Sequence, residues 1–217
     1  DVSWSRGLGD VYKRQGIPGS SSKENGLIKN ANSIWLNGKP FKKDLEMSLD
    51  REIKIMNDAN CFALSEAIDG SGANYNTVWG VIIGSGFGGS FVHNKKVVEG
   101  VNQVAGDWGH QPLPYPRKEE WDLNLKCPVD NCGRPLCAEQ FISGIGFTNI
   151  FNRKYKTNFT TKEIVDLELN GDERAKKEFD LYEDRFARLI AIMIGIVDPD
   201  VIILGGGMSN ICLLYTS

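Results

Sequence analysis

Thr77-Val-Trp-Gly-Val-Ile-Ile83, then Gly84-Ser-Gly-Phe-Gly-Gly89, then Ser90 to His93, sets the fold class. A short run apolar on both faces is a strand covered on both sides, which places helices over a sheet and the chain among α/β proteins. The glycines that follow match a dinucleotide-binding pattern only loosely. Another strand comes next rather than a helix, so there is no helix N-terminus for a pyrophosphate and a Rossmann site is not expected. Backbone N–H groups in such a turn can still form an anion-binding nest. A plain glycine-rich hairpin turn is the other reading.

Downstream, Asn94 to Lys96 turns the chain back through Val97 and Val98. His93 on this hairpin is expected to face solvent without a partner. Asp107-Trp-Gly-His110 follows, then a loop rich in Pro and charge from Pro112 to Lys126, then Cys127, Cys132, Cys137 and Glu139. One His and three Cys can fill the four tetrahedral positions of a structural zinc. Buried reduced thiols are the alternative. An imidazole bound to metal through one nitrogen keeps the other for a hydrogen bond, so His110 can serve metal and ligand together. Asp107 and Glu139 bracket the cluster, and a helix is expected to begin after Cys137 with Glu139 in its first turn.

Upstream, Gly16 to Ser22 reads as a turn cluster, residues 30–38 as loop, and Asp44 to Leu49 as a short amphipathic helix. Glu52 to Met56 alternates as a half-buried strand does, and Ala59, Phe62, Ala63 and Ala67 then fall at helical spacing. Asp58 therefore stands where a strand becomes a helix. It can be an N-cap, or a general base at the carboxyl edge of a sheet, where open α/β folds place their ligands. Toward the end, Thr160-x-x-Glu163 is a capping box for a helix over 161–169. Glu173 to Val197 carries an apolar face that widens toward Asp198-Pro199, as in a helix buried in a core. Val201 to Leu204 is a buried strand opening into Gly205-Gly-Gly207.

The chain of 217 residues is 41% hydrophobic, enough for a packed core in one large domain or two small ones, and its net charge of -3 gives no reason to expect nucleic acid. Its sequence has no apolar stretch long enough to cross a membrane. Cysteines grouped with a histidine argue for metal rather than a secreted disulfide framework, and no signal peptide is visible, so a reducing cytoplasm is expected. The two ends share a peculiarity. Codons for Asp10 to Gln15 can be chosen so that their reverse complement, extended by one base pair, encodes Cys-Leu-Leu-Tyr-Thr-Ser, the sequence of Cys212 to Ser217. Residues 1–15 and 212–217 are accordingly expected to be encoded by a sequencing adaptor, with chance as the other reading.

The ordered set Gly16-Ile-Pro-Gly19, Asn57-Asp-Ala-Asn60, Gly84 to Gly89, Gly106-Asp-Trp-Gly-His110, Cys132-Gly-x3-Cys137-x-Glu139 and Asp198 to Gly207 resembles the ROK family of sugar kinases and repressors. The resemblance implies an actin-like ATPase (ribonuclease H-like) α/β fold, two lobes around a cleft, truncated here. Residues 16–75 would be the remainder of an N-terminal lobe, and 76–211 a C-terminal lobe with a zinc loop at 107–139. It implies ATP-dependent phosphorylation of a hexose 6-hydroxyl, with Asp58 as general base. Gly19, Asn32, Asn57, Asp107, His110 and Glu139 would bind the sugar. Gly84, Ser85 and Gly86 would face the ATP phosphates, and Gly205, Gly206 and Gly207 the adenosine. His110, Cys127, Cys132 and Cys137 would hold zinc, and magnesium would accompany ATP.

Asn30 to Asn37 and Trp108 to Pro114 resemble the fructokinase branch most, making fructose the expected substrate with mannose second. N-acetylglucosamine kinase and a sugar-responsive repressor are the alternatives. A homodimer is expected at full length. The resemblance also has departures. Asp107 stands where relatives usually have Glu, and Cys127 and Cys132 are spaced more widely than is usual. The family's Asp-x-Gly-Gly-Thr phosphate loop and the helices after Asn210 are missing, so this chain by itself is expected to be inactive.

Overall fold

A computed structural model describes residues 12–31, 33–123, 132 and 134–210. The chain divides into two compact units at Cys61/Phe62, earlier than the boundary expected at 75/76.

In the first unit, Tyr12–Ile17 is β1, Ser20–Ser21 β2, Ile28–Lys29 β3, Phe41–Leu49 α1 and Glu52–Asn57 β4. β1 runs parallel to β4 with Ile17 opposite Asn57, while β2 and β3 form a small antiparallel pair. β1 takes in Tyr12 to Gln15, which the sequence reading sets aside as adaptor-encoded, so the chain is already extended before the expected turn at Gly16. α1 begins just after Pro40, a turn earlier than its expected start at Asp44. Ile17, Ile28 and Ala31 form the core, with Leu36, Phe41 and Ile55 packed against them. Asp58–Ile68 (α2) starts where β4 ends and runs on into the second unit.

The second unit is built on the stretch that decides the fold class. Thr77–Ile83 is β5, Phe87–His93 β6 and Lys96–Val97 β7. β5 pairs antiparallel with β6, β6 with β7, and β5 parallel with Val201–Gly205 (β8), giving the order β7-β6-β5-β8. β6 begins at Phe87 rather than Ser90, so Gly88 and Gly89 lie in the strand and the turn shrinks to residues 84–86. His93 is exposed, as expected, but has a partner: its Nδ1 lies 3.0 Å from Thr77 Oγ1.

Lys118–Asp122 (α3), Glu139–Ile142 (α4), Gly144–Tyr155 (α5), Thr161–Leu169 (α6) and Glu173–Val197 (α7) complete the unit. α6 and α7 have their expected bounds, and the capping box at Thr160 and Glu163 forms in both directions. α3 sits inside what reads as an uninterrupted loop. It exists because the Glu120 carboxylate accepts the Arg117 backbone N–H at 2.8 Å and pairs with Arg185 Nε at 2.9 Å. Arg188 also binds Glu120 and donates to the Pro114 carbonyl at 2.6 Å, so α7 anchors the loop. Leaving either charge unpaired in that buried setting would cost several kcal/mol, roughly 3–5.

Phe141, Phe147, Phe151, Phe179, Tyr182 and Phe186 fill the space between the helices and β5 and β6, with Phe147 against Phe179 at 4.8 Å. Each such side chain contributes about 1.5–3 kcal/mol by leaving water. The widening apolar face of α7 behaves differently from expectation. Its buried residues are in the earlier turns, while Ile192, Ile194 and Ile196 near its end are exposed among the described residues.

Candidate functional site

In the first unit the β4–α2 junction carries the candidate base. Asn57 Oδ1 accepts the Asn60 backbone N–H at 3.2 Å, the bond an N-cap makes to the third residue of its helix. The same side chain donates from Nδ2 to the Gly19 carbonyl at 3.1 Å. Capping therefore belongs to Asn57, and Asp58 is left as the first helical residue with its carboxylate exposed. Asp58 Oδ1 accepts the adjacent Ala59 N–H at 2.8 Å. Loss of hydration among the surrounding atoms raises its carboxyl above the usual aspartate range, against the pull of the Ala59 N–H and its own.

Gly19 (φ +101) has its carbonyl on Asn57 and its backbone against Ala31, where a Cβ would lie 2.7 Å from the Ala31 Cα. Gly19, Asn57 and Asp58 are thus neighbours, while Asn32 lies outside the described residues. Asn57→Ala is expected to lower stability by about 1 kcal/mol, read as a shifted denaturant midpoint. An unchanged midpoint would return the capping role to Asp58.

In the second unit, residues 107–111 and 136–139 run side by side. Glu139 N–H donates to the Gly109 carbonyl at 2.9 Å, Ala138 N–H to Gln111 at 2.8 Å and Leu113 N–H to Leu136 at 2.7 Å. Gly109 passes so close to β6 that a Cβ would fall 1.8 Å from the Phe87 carbonyl oxygen, so no other residue fits without moving the backbone. Trp108 is buried edge-on to Trp79 at 5.6 Å, which pins the strip to the sheet. Asp107 stays exposed, His110 is half-buried and Glu139 is buried. The strip brings His110 and Glu139 together, with Asp107 at its start.

His110, Cys132 and Cys137 place one ligand atom each within 4.8 Å of one another. Cys137 Sγ lies 3.5 Å from His110 Nδ1. Thiolate and imidazole ligands at about 2.3 and 2.0–2.1 Å in a tetrahedron stand roughly 3.6 Å apart, so this pair fits zinc as it is. Cys127, the fourth expected ligand, lies outside the described residues.

The glycine turns lie at the carboxyl ends of β5 and β8, and Glu139 of the strip reaches the first of them. Gly84 N–H donates to the Gly86 carbonyl at 2.9 Å, and Ser85 is exposed at the tip. Gly144 N–H at the start of α5 donates to the Gly84 carbonyl at 2.8 Å, and Gly144 also approaches Met208. Gly205 closes β8 and Gly206 and Gly207 follow it; a side chain on Gly207 would meet nothing within 4 Å. Gly205 is buried under the Phe62 ring, and Gly206 holds φ +88 against the Ile83 carbonyl. Gly205 therefore shapes the turn from below rather than lining a surface.

Two parts of this arrangement escape sequence reasoning. The capping of α2 by Asn57 is hidden because Asp58 is an equally good capping residue one position on. α5 is hidden because Gly144 and Gly146 in its first turn look like loop. Its one signal is Ser143, whose Oγ accepts the Gly146 N–H at 3.0 Å.

Comparison with known proteins adds an independent line. The model of the ROK family matches residues 14–217. An N-acetyl-D-glucosamine kinase of Escherichia fergusonii is 38% identical over 201 residues, covering 93% of this chain and 66% of the relative. The chain thus spans just under two thirds of that relative's length. Among solved structures, a ROK hexokinase from Thermus thermophilus superposes with a TM-score of 0.74 at 23% identity, over 91% of this chain and 62% of that one. A ROK family glucokinase from Streptomyces griseus, in complex with glucose and AMPPNP, gives 0.75 at 23% identity, over 90% and 65%. These likenesses carry the fold: an actin-like ATPase fold of mixed α/β type, of which the chain covers part.

Proposed function

The chain belongs to the ROK family, and from that premise we propose that the complete gene product is an ATP-dependent hexose kinase that transfers phosphate to the sugar's 6-hydroxyl. The observation that carries this reading is the division of labour at the β4–α2 junction. Asn57 caps the helix, so the Asp58 side chain is not needed for capping; Asp58 stands exposed in the first turn, where a substrate hydroxyl can reach it, and its carboxyl is shifted upward, the direction a general base needs. Phosphoryl transfer asks mainly for positioning and charge neutralisation, and magnesium bound with ATP supplies the latter. Asp58 would accept the proton of the attacking hydroxyl. Asn57, Gly19, Asp107, His110 and Glu139 would hold the sugar, with Gly84 to Gly86 at the phosphates and Gly207 at the adenosine side.

N-acetylglucosamine leads as substrate, because the curated relatives at 37–38% identity bear that name. Fructose remains the second reading, favoured by the segments 30–37 and 108–114. A sugar-responsive repressor of the same family is disfavoured by the intact Asn57-Asp58 pair. The test is an ATP-coupled assay of the full-length product against N-acetylglucosamine, fructose, mannose and glucose. A kcat/KM highest for N-acetylglucosamine supports the leading reading. A maximum at fructose replaces it with the second, and no turnover with any hexose removes the kinase assignment.

A further inference from the structure

The Gly84–Phe87 turn is held at both ends by one short segment of chain. At its start, the Gly84 carbonyl accepts the Gly144 N–H at 2.8 Å. At its end, the Phe87 N–H donates to Glu139 Oε2 at 3.0 Å, a buried bond. Between the two, a Cβ on Gly86 would stand 3.1 Å from the same Glu139 oxygen, so the carboxylate lies directly against the turn. Glu139 itself is fixed from behind, since its own N–H is bonded to Gly109 and its carbonyl accepts the Ser143 N–H at 3.1 Å. It is 4% exposed. A group so enclosed and so bonded has a structural task beyond touching a sugar.

We propose that Glu139 is a positioning residue for the phosphate-side turn: its carboxylate fixes the Phe87 N–H and hence the backbone of residues 84–87 that receives the ATP phosphates. This deepens the kinase reading above and rests on its placing of Gly84 to Gly86 at the phosphates. One side chain then joins the strip carrying Gly109 and His110 to the turn. Its removal disturbs nucleotide binding even when no sugar is present. A residue that only contacts sugar has no such effect.

Two variants separate the roles in the complete gene product. Glu139→Gln keeps the length and an amide oxygen able to accept the Phe87 N–H, but loses the charge that suits sugar hydroxyls. Glu139→Asp keeps the charge and draws it back from Phe87. Removing the partner of a buried donor typically weakens a dependent equilibrium by about tenfold. ATP affinity is measured by calorimetry without sugar, well below the melting temperature of each variant, and sugar KM by steady-state kinetics.

The expected result is about tenfold weaker ATP binding in Glu139→Asp, with Glu139→Gln within about twofold of wild type for ATP but raised in sugar KM. Wild-type ATP affinity in Glu139→Asp overturns the proposal and leaves Glu139 a sugar ligand alone. If Glu139→Asp does not fold, Glu139→Gln decides: retained ATP affinity with raised sugar KM supports the proposal, and parallel loss of both overturns it. Absence of ATP binding by the wild type overturns the kinase reading, and the proposal with it, and is told apart because it needs no variant.

Discussion

Asp58→Asn in the complete gene product is expected to lower kcat by about 10²- to 10⁴-fold, the usual contribution of general acid–base catalysis, with sugar affinity close to wild type. The substitution keeps size and hydrogen-bonding shape, and it leaves the helix intact because Asn57 supplies the cap. What it removes is a carboxylate able to take a proton. The pH dependence follows from the direction of its shift. Lost hydration raises the Asp58 carboxyl, so the group protonates at a higher pH than an ordinary aspartate does. The base works only when ionised. Activity is therefore present above the raised pKa and is lost as pH falls through it, with the midpoint on the high side of an ordinary aspartate. In Asp58→Asn this acid limb should be missing from what activity remains. Stopped turnover with preserved sugar binding, read by calorimetry and a pH-rate series, checks both parts. Near-normal turnover in the variant would remove the base assignment.

How far such a site can be read in advance depends on whether its signals are local. β5, α6 and α7 follow directly from patterns in their own residues. Both faces of β5 are covered, Thr160 and Glu163 cap α6 reciprocally, and Asp172 caps α7 through the Arg174 and Ala175 N–H groups. The adjacency of His110 and Cys137 was legible from residue type, since thiols and imidazole share a chemistry. Which aspartate or asparagine caps α2 was not, because the deciding bond from Asn60 depends on backbone angles at the junction. α3 was illegible for a different reason. Its stability comes from Arg185 and Arg188 on α7, distant in sequence, and no property of residues 112–126 announces them. The fate of Gly205 was equally remote, since only the fold shows that the Phe62 ring occupies the space beside it.

Cys137→Ser is expected to reduce bound zinc from about one per chain to a small fraction after dialysis, and to lower the melting temperature together with sugar affinity. Structural zinc contributes folding free energy directly, and tetrahedral sites of this kind hold it with apparent energies of roughly 10–16 kcal/mol near neutral pH in small zinc-finger peptides. Cys137 is buried, its Sγ faces His110 Nδ1 at 3.5 Å, and it pairs with Pro112 across the strip. The serine hydroxyl is a poor substitute for a thiolate, so the remaining ligands would hold the ion weakly. The effect would reach the sugar because the candidate metal ligands and the proposed sugar ligands share one backbone. His110 follows Gly109, which receives the Glu139 N–H, and Cys137 lies two positions before Glu139. Zinc on Nδ1 would also leave His110 Nε2 to donate to a sugar hydroxyl, so loss of the metal frees the ring to rotate. Elemental analysis of metal per chain, a thermal melt and sugar titration read the three effects. A wild-type protein without zinc, or a Cys137→Ser protein that keeps a full equivalent, would leave Cys132 and Cys137 as reduced thiols beside the His110 imidazole, and sugar affinity would then not depend on chelation.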